Sequence, residues 1–161
     1  MLSRKGYEVT AVTGKAAEQD FLKALGAREV LLRSALDPGK RPLEKSLWAA
    51  AFDSVGGAQL TWLTRTMQPD GLIASFGNAG GIALETTVLP FILRGVRLIG
   101  VNSATTAMPL RRKVWQRLAG DLKPQHLDRI AYTIGLEELP AQFDKLLKGQ
   151  ARGRAVVTLQ P

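Results

Sequence analysis

The sequence predicts an α/β protein built on a doubly wound parallel sheet of the Rossmann type, on three observations. Short apolar runs alternate with stretches of helical spacing, the runs end in loops of glycine and serine, and the unit of strand, small-residue loop and helix recurs along the 161 residues. Such alternation builds βαβ crossovers, and open parallel sheets bind ligands outside the carboxyl ends of their strands.

The elements follow in order. Met1 to Lys5 reads as the last turn of a helix, with Gly6 as the glycine that closes it. Tyr7, Val9 and Ala11 alternate with more polar neighbours, so Gly6 to Val12 reads as a strand ending in the loop Thr13-Gly14-Lys15. A helix is predicted from about Ala16 to Leu25, stopped by Gly26, and Glu29 to Leu32 is a second brief strand. Ser34 to Pro42 is a polar loop punctuated by Pro38-Gly39.

Trp48 to Phe52 is a continuous apolar run bounded by Asp53-Ser54-Val55-Gly56-Gly57, which predicts a strand buried on both faces. Leu60, Leu63 and Met67 mark a helix from Ala58, and Pro69-Asp70-Gly71 turns the chain back. Leu72 to Phe76 is the next strand and ends at Gly77-Asn78-Ala79-Gly80-Gly81. Thr87 to Leu93 is a short helix stopped near Gly95, with Pro90 tolerable only near its first turn. Val96 to Val101 is a strand ending at Asn102-Ser103. Leu110 to Leu118 and Leu136 to Leu147 are amphipathic helices, and Ala155 to Leu159 is a closing strand. No internal repeat and no linker divides the chain.

Composition excludes several kinds of chemistry. Cysteine is absent, which removes disulfides, thiolate metal sites and cysteine nucleophiles. The single histidine, His126, leaves no histidine metal centre and no Ser-His-Asp triad, and it reads as a surface residue at a helix start. There is no Gly-x-Ser-x-Gly elbow. Glu137-Glu138 suit the first turn of a helix, where acidic groups favour the dipole, better than paired acid-base catalysis. No apolar run nears the roughly 20 residues that cross a bilayer, so a soluble, cytoplasmic protein without a membrane partner is expected.

The net charge of +8 comes from 22 Lys and Arg against 14 Asp and Glu. The basic residues are scattered, with small groups at Arg111-Arg112-Lys113 and Arg152-Gly153-Arg154, and Tyr and Phe do not interleave them as on a single-strand nucleic-acid platform, so no nucleic-acid partner is expected. A multiply phosphorylated small ligand would use the same excess.

Candidate sites lie at four strand ends with small residues: Thr13-Gly14-Lys15, Ser54-Val55-Gly56-Gly57, Phe76-Gly77-Asn78 and Asn102-Ser103. In one parallel sheet these ends would line a single crevice. A hydroxyl, a glycine amide and an ammonium at Thr13 to Lys15 form a phosphate cradle, although an ordinary turn with a solvated Lys15 has the same residues. A guanidinium from Arg152-Gly153-Arg154 suits a pyrophosphate, or else a solvated basic turn.

The successions Gly6-Tyr7-x-Val9-Thr10-Ala11-Val12-Thr13-Gly14-Lys15, Leu22-Lys23-x-Leu25-Gly26-Ala27, Asp53-Ser54-Val55-Gly56-Gly57, Leu89-Pro90-Phe91-Ile92-Leu93-Arg94-Gly95-Val96 and Gln150-x-Arg152-Gly153-Arg154-x-Val156-Val157 resemble the medium-chain dehydrogenase/reductase superfamily. More narrowly they resemble its zinc-independent quinone-oxidoreductase-like branch, which includes acrylyl-CoA reductase. The resemblance implies that residues 1–161 are a nucleotide-binding domain lacking its first strand and glycine-rich loop. It implies a final strand, 154–159, that returns toward an absent catalytic domain.

By position, the resemblance implies NADPH as cofactor, with Thr13, Gly14 and Lys15 around its 2'-phosphate. Ala17 departs from the small polar residue usual there. Val55 and Gly56 would approach the ribose, Phe76, Gly77 and Asn78 the nicotinamide, and Asn102 and Ser103 the nicotinamide amide and substrate. Asn102 replaces an acidic residue, and Arg154 would touch the pyrophosphate. The implied reaction is hydride transfer to an activated double bond of an enoyl-CoA or to a quinone, in a homodimer joined through strand 96–101. No catalytic residue is assigned and no metal is expected. The alternative is a non-catalytic NADP-binding or dimerisation module.

Overall fold

The computed structural model describes residues 1–159. The chain folds as two compact units, one formed by Leu32–Arg112 and the other by Met1–Leu31 together with the chain from Lys113 onward.

The Leu32–Arg112 unit holds a three-stranded sheet of order β3-β4-β5, with β3 at Trp48–Asp53, β4 at Met67–Ser75 and β5 at Arg97–Gly100. Both pairings are parallel, as βαβ crossovers require. The crossovers carry helix α2, Gly57–Thr66, and helix α3, Leu89–Arg94. The predicted turn at Pro69-Asp70-Gly71 lies inside β4 as a bulge. Register passes from Trp48↔Met67 to Ala50↔Leu72, and Asp70 adopts a φ of 60° to make the excursion. Beyond it, Asp53, Ser75 and Gly100 stand in register, so the three strands end together.

The core lies on one face of this sheet. Leu60, Trp62 and Leu63 of α2 pack with Met67, Ile73 and Val96, and Ala51, Phe91 and Leu98 close around them. Met67 and Ile73 are fully buried, each contributing about 1.5–3 kcal/mol of apolar transfer. Trp48 meets Trp62 edge to face, with ring centroids 6.0 Å apart. The opposite row, Phe52, Ala74 and Ile99, is different: Phe52 is 62% and Ile99 50% exposed. The expectation that Trp48 to Phe52 is buried on both faces is therefore corrected. Both α2 and α3 pack into the same cluster, which leaves the other face uncovered among the described residues.

Arg94 ties this unit together at the ends of its elements. Its guanidinium donates to the carbonyls of Arg65 and Met67, 3.0 Å each, and to that of Glu44 at 2.5 Å. The Arg65 and Met67 carbonyls lie at the carboxyl end of α2, where the last carbonyls have no intrahelical donor, and the Arg65 carbonyl also accepts the Glu44 amide at 2.9 Å.

In the other unit, β1 (Thr10–Thr13) and β2 (Glu29–Leu32) form a two-stranded sheet flanking helix α1, Gln19–Ala24. Gly6, at φ 84°, closes the opening turn as predicted. Helix α4, Met108–Ala119, carries the chain into this unit. Here the structure adds two elements to the sequence reading: a short helix α5, Leu127–Ile130, and a strand β6, Ala131–Ile134. β6 runs parallel to the last strand β7, Arg154–Val157, with helix α6, Leu139–Leu147, as the crossover. The closing strand thus ends two residues before the predicted Leu159. His126 sits exposed at the start of α5 in a left-handed conformation.

Candidate nucleotide site

The ends of β3 and β4 are laced together by a buried acid. Oδ1 of Asp53 accepts the amides of Val55 and Gly56, both at 3.1 Å, and Oδ2 accepts the hydroxyl of Ser75 at 3.2 Å. An Asp that bonds the amides two and three residues on is the acceptor of an Asx-type turn. Above it the two loops meet backbone to backbone: the amide of Gly80 donates to the Val55 carbonyl at 2.7 Å, and Gly56 pairs with Gly81.

Glycine is required where they meet. Gly56 has a φ of +68°, and a Cβ there would lie 2.5 Å from the Gly81 carbonyl oxygen. A Cβ on Gly77 would collide with the Ser54 carbonyl. The two loops therefore pack backbone against backbone, at a spacing that only glycine allows.

Two concavities flank these loops. One, of about 230 Å³, is lined by Val55 and Gly56 with Arg33, Leu36, Pro38 and Trp62 among its walls. The other is an open trough of about 550 Å³ along Phe76, Gly77, Asn78, Val101 and Asn102. The structure thus brings six predicted residues, Phe76, Gly77, Asn78, Asn102 and, across the loop, Val55 and Gly56, to the strand ends of one unit. Asn102 also accepts the Thr105 amide at 3.3 Å, and the carbonyl of Ser103 accepts a bond from Arg111 at 2.5 Å.

The other unit carries the Thr13 to Lys15 loop. The Thr13 hydroxyl accepts the Lys15 amide at 3.0 Å, and the Lys15 ammonium donates to the Ala151 carbonyl. The next residue, Arg152, pairs with Glu18 at 3.1 Å and lies 3.9 Å over the ring of Phe21. Arg154 opens β7 in register with Ala131. The sequence reading missed Asp53, Arg33 and Trp62 as site-forming residues, and Glu18 and Phe21 as partners of the basic turn. For Asp53 a signal was present, since an acid two residues ahead of Val-Gly-Gly is the chemistry of a side-chain-capped turn.

Fold and strand ends define a Rossmann-like α/β chain with concavities at the carboxyl edge of a parallel sheet. No family model matches it. It is 40% identical over 158 residues to the acrylyl-CoA reductase AcuI of Ruegeria pomeroyi, a match covering 98% of this chain and 48% of that protein. Among solved structures it is similar to Escherichia coli K-12 YhdH with bound NADPH, at 42% identity and a TM-score of 0.92, covering 99% of this chain and 49% of that one. It is also similar to Bacillus subtilis YhfP with NAD bound, at 41% identity and a TM-score of 0.92, covering 98% and 49% respectively. These matches bear out the resemblance to the medium-chain dehydrogenase/reductase superfamily. The chain spans about half the length of the relatives it matches.

Among the described residues no helix is long and apolar enough to cross a membrane, and no group of three or more His, Cys, Asp or Glu is placed to hold a metal ion.

Proposed function

We propose that this chain is the NADPH-binding portion of an oxidoreductase that transfers a hydride to an activated C=C bond, in acrylyl-CoA, another enoyl thioester or a quinone. The observation that carries the reading is the match along nearly all of this chain to a structure holding NADPH, at 42% identity. The open trough along Phe76, Gly77, Asn78 and Asn102 fits it, because parallel sheets bind ligands at the carboxyl ends of their strands.

In this reading Thr13, Gly14 and Lys15 receive the 2'-phosphate. Lys15 has three donor hydrogens and uses one on Ala151, which leaves two for an anion. Val55 and Gly56 face the ribose, and Phe76, Gly77 and Asn78 the nicotinamide. Asn102 and Ser103 lie toward the nicotinamide amide and substrate, and Arg154 toward the pyrophosphate. When bound, the dihydronicotinamide supplies the hydride for the β-carbon, and a proton completes the reduction at the α-carbon. The residues of this chain bind and orient; none is assigned the proton transfer, and no zinc is invoked.

We further read the edge strand β5 and the residue after it, with Ile99 and Val101 about half exposed, as the joint of a homodimer. A cytoplasmic location is part of the same reading. A second reading is a non-catalytic NADP-binding or dimerisation module. Calorimetric titration with NADPH and NADH, alongside Lys15→Ala, tests the first. Binding that prefers NADPH and loses the preference in the variant supports it; no binding of either sinks it for this chain. Turnover of acrylyl-CoA by the isolated chain would exclude the second.

A further inference from the structure

The inference here rests on reading Thr13 to Lys15 as the receiver of a ribose phosphate. Beside that loop stands an acid that ought to oppose such a ligand. The Glu18 side chain is only 21% exposed, and its Oε2 is buried without a hydrogen-bond donor. A carboxylate withdrawn from water acts on a nearby anion more strongly than a solvated one.

Its ionic partner is Arg152, whose Nε lies 3.1 Å from that same oxygen. Stacking on Phe21 at 3.9 Å holds the guanidinium plane, and a stacked guanidinium keeps the donors at its fork for a second partner. The residue before it, Ala151, is the one whose carbonyl accepts Lys15. Two charged side chains, Lys15 and Arg152, therefore join the same turn to the same loop, and Glu18 brings negative charge to that junction.

We propose that Glu18 and Arg152 form a charge pair that sets how strongly the Thr13 to Lys15 loop prefers a phosphorylated over a plain ribose. Arg152 cancels the repulsion from Glu18 and presents its remaining N–H groups to the phosphate. Glu18 holds Arg152 in place and caps the affinity. Arg152 is thus a specificity-determining residue beside Lys15, distinct from Arg154.

The test compares 2',5'-ADP with 5'-AMP, which differ by the one phosphate, by calorimetry on the full chain at low ionic strength. The proteins are wild type, Lys15→Ala, Arg152→Ala, Arg152→Lys and Glu18→Gln. Wild type should prefer 2',5'-ADP, and Arg152→Ala should cut the affinity ratio roughly three- to tenfold with 5'-AMP binding unchanged. Arg152→Lys should keep part of the ratio. Glu18→Gln, which preserves shape, should raise it. A ratio unmoved by Arg152→Ala and Glu18→Gln, yet lost in Lys15→Ala, overturns this inference and leaves the phosphate reading standing. Equal weakening of both ligands in Arg152→Ala, with no rise in Glu18→Gln, marks a purely structural pair and overturns it too. A wild-type chain that binds both ligands alike, or neither, overturns the phosphate reading and this inference together.

Discussion

Asp53 and Ser75 end neighbouring strands in register, and the carboxylate of the first accepts the hydroxyl of the second at 3.2 Å while also holding the amides of Val55 and Gly56. One fully buried acid thereby sets the shape of both loops at the proposed ribose and nicotinamide positions.

Asp53→Ala should therefore destabilise the Leu32–Arg112 unit by about 1–3 kcal/mol, because the buried Gly56 amide and the part-buried Val55 amide lose their acceptor. Asp53→Asn, which keeps one acceptor oxygen, should lose less. Urea unfolding of the two variants checks this; equal stability of wild type and Asp53→Ala would refute it.

Gly56→Ala places a Cβ 2.5 Å from the Gly81 carbonyl at a φ of +68°. We expect a loss of about 1–3 kcal/mol from backbone strain and weaker NADPH binding, since the two loops must part. Gly100→Ala is the control, because nothing lies within 4 Å of a Cβ there. Thermal unfolding with NADPH titration separates the two positions.

Arg94→Ala removes the donor to three backbone carbonyls, those of Arg65, Met67 and Glu44. Hydrogen bonds from charged groups contribute about 1.5–3 kcal/mol each when measured singly, so a loss of at least about 2 kcal/mol is expected. Arg94→Lys, a point donor in place of a fork, should recover only part of it. Hydrogen exchange at the carboxyl end of α2 would register the change, and unaltered protection there would count against it.

The pH dependence of the other unit is expected to involve Asp121. Its carboxyl is held at about 2, below its ordinary 3.8, first by the hydrogen bond from Arg117 and then by that from Lys5. Since the folded value lies below the unfolded one, the stabilisation is present above about 3.8 and lost as pH falls through about 2. A carbon-detected NMR titration should find the Asp121 midpoint depressed, and Arg117→Ala should return it toward the ordinary value. An undepressed midpoint in the wild type would contradict the assignment.

The glycine turns at the strand ends are legible in the sequence, because their chemistry is local. Gly56 and Gly77 announce backbone that a Cβ would obstruct, and Pro90 and Gly95 bracket α3 as expected. The strand β6 was passed over, since four residues between two helical stretches carry too little periodicity to stand out. Its pairing with β7 is a long-range event that no window on Ala131–Ile134 contains.

By itself the sequence determined the alternation of strands and helices, the small residues at the strand ends and the absence of thiol and histidine chemistry. These follow from side-chain size, backbone freedom and composition, which each residue carries with it. Only the tertiary structure decided that the β3-β4-β5 sheet covers Ile73 and leaves Phe52 open, and that Lys15 meets a carbonyl 136 residues away. Which face is buried and which charges meet depend on how distant segments pack, and packing is a property of the folded chain as a whole.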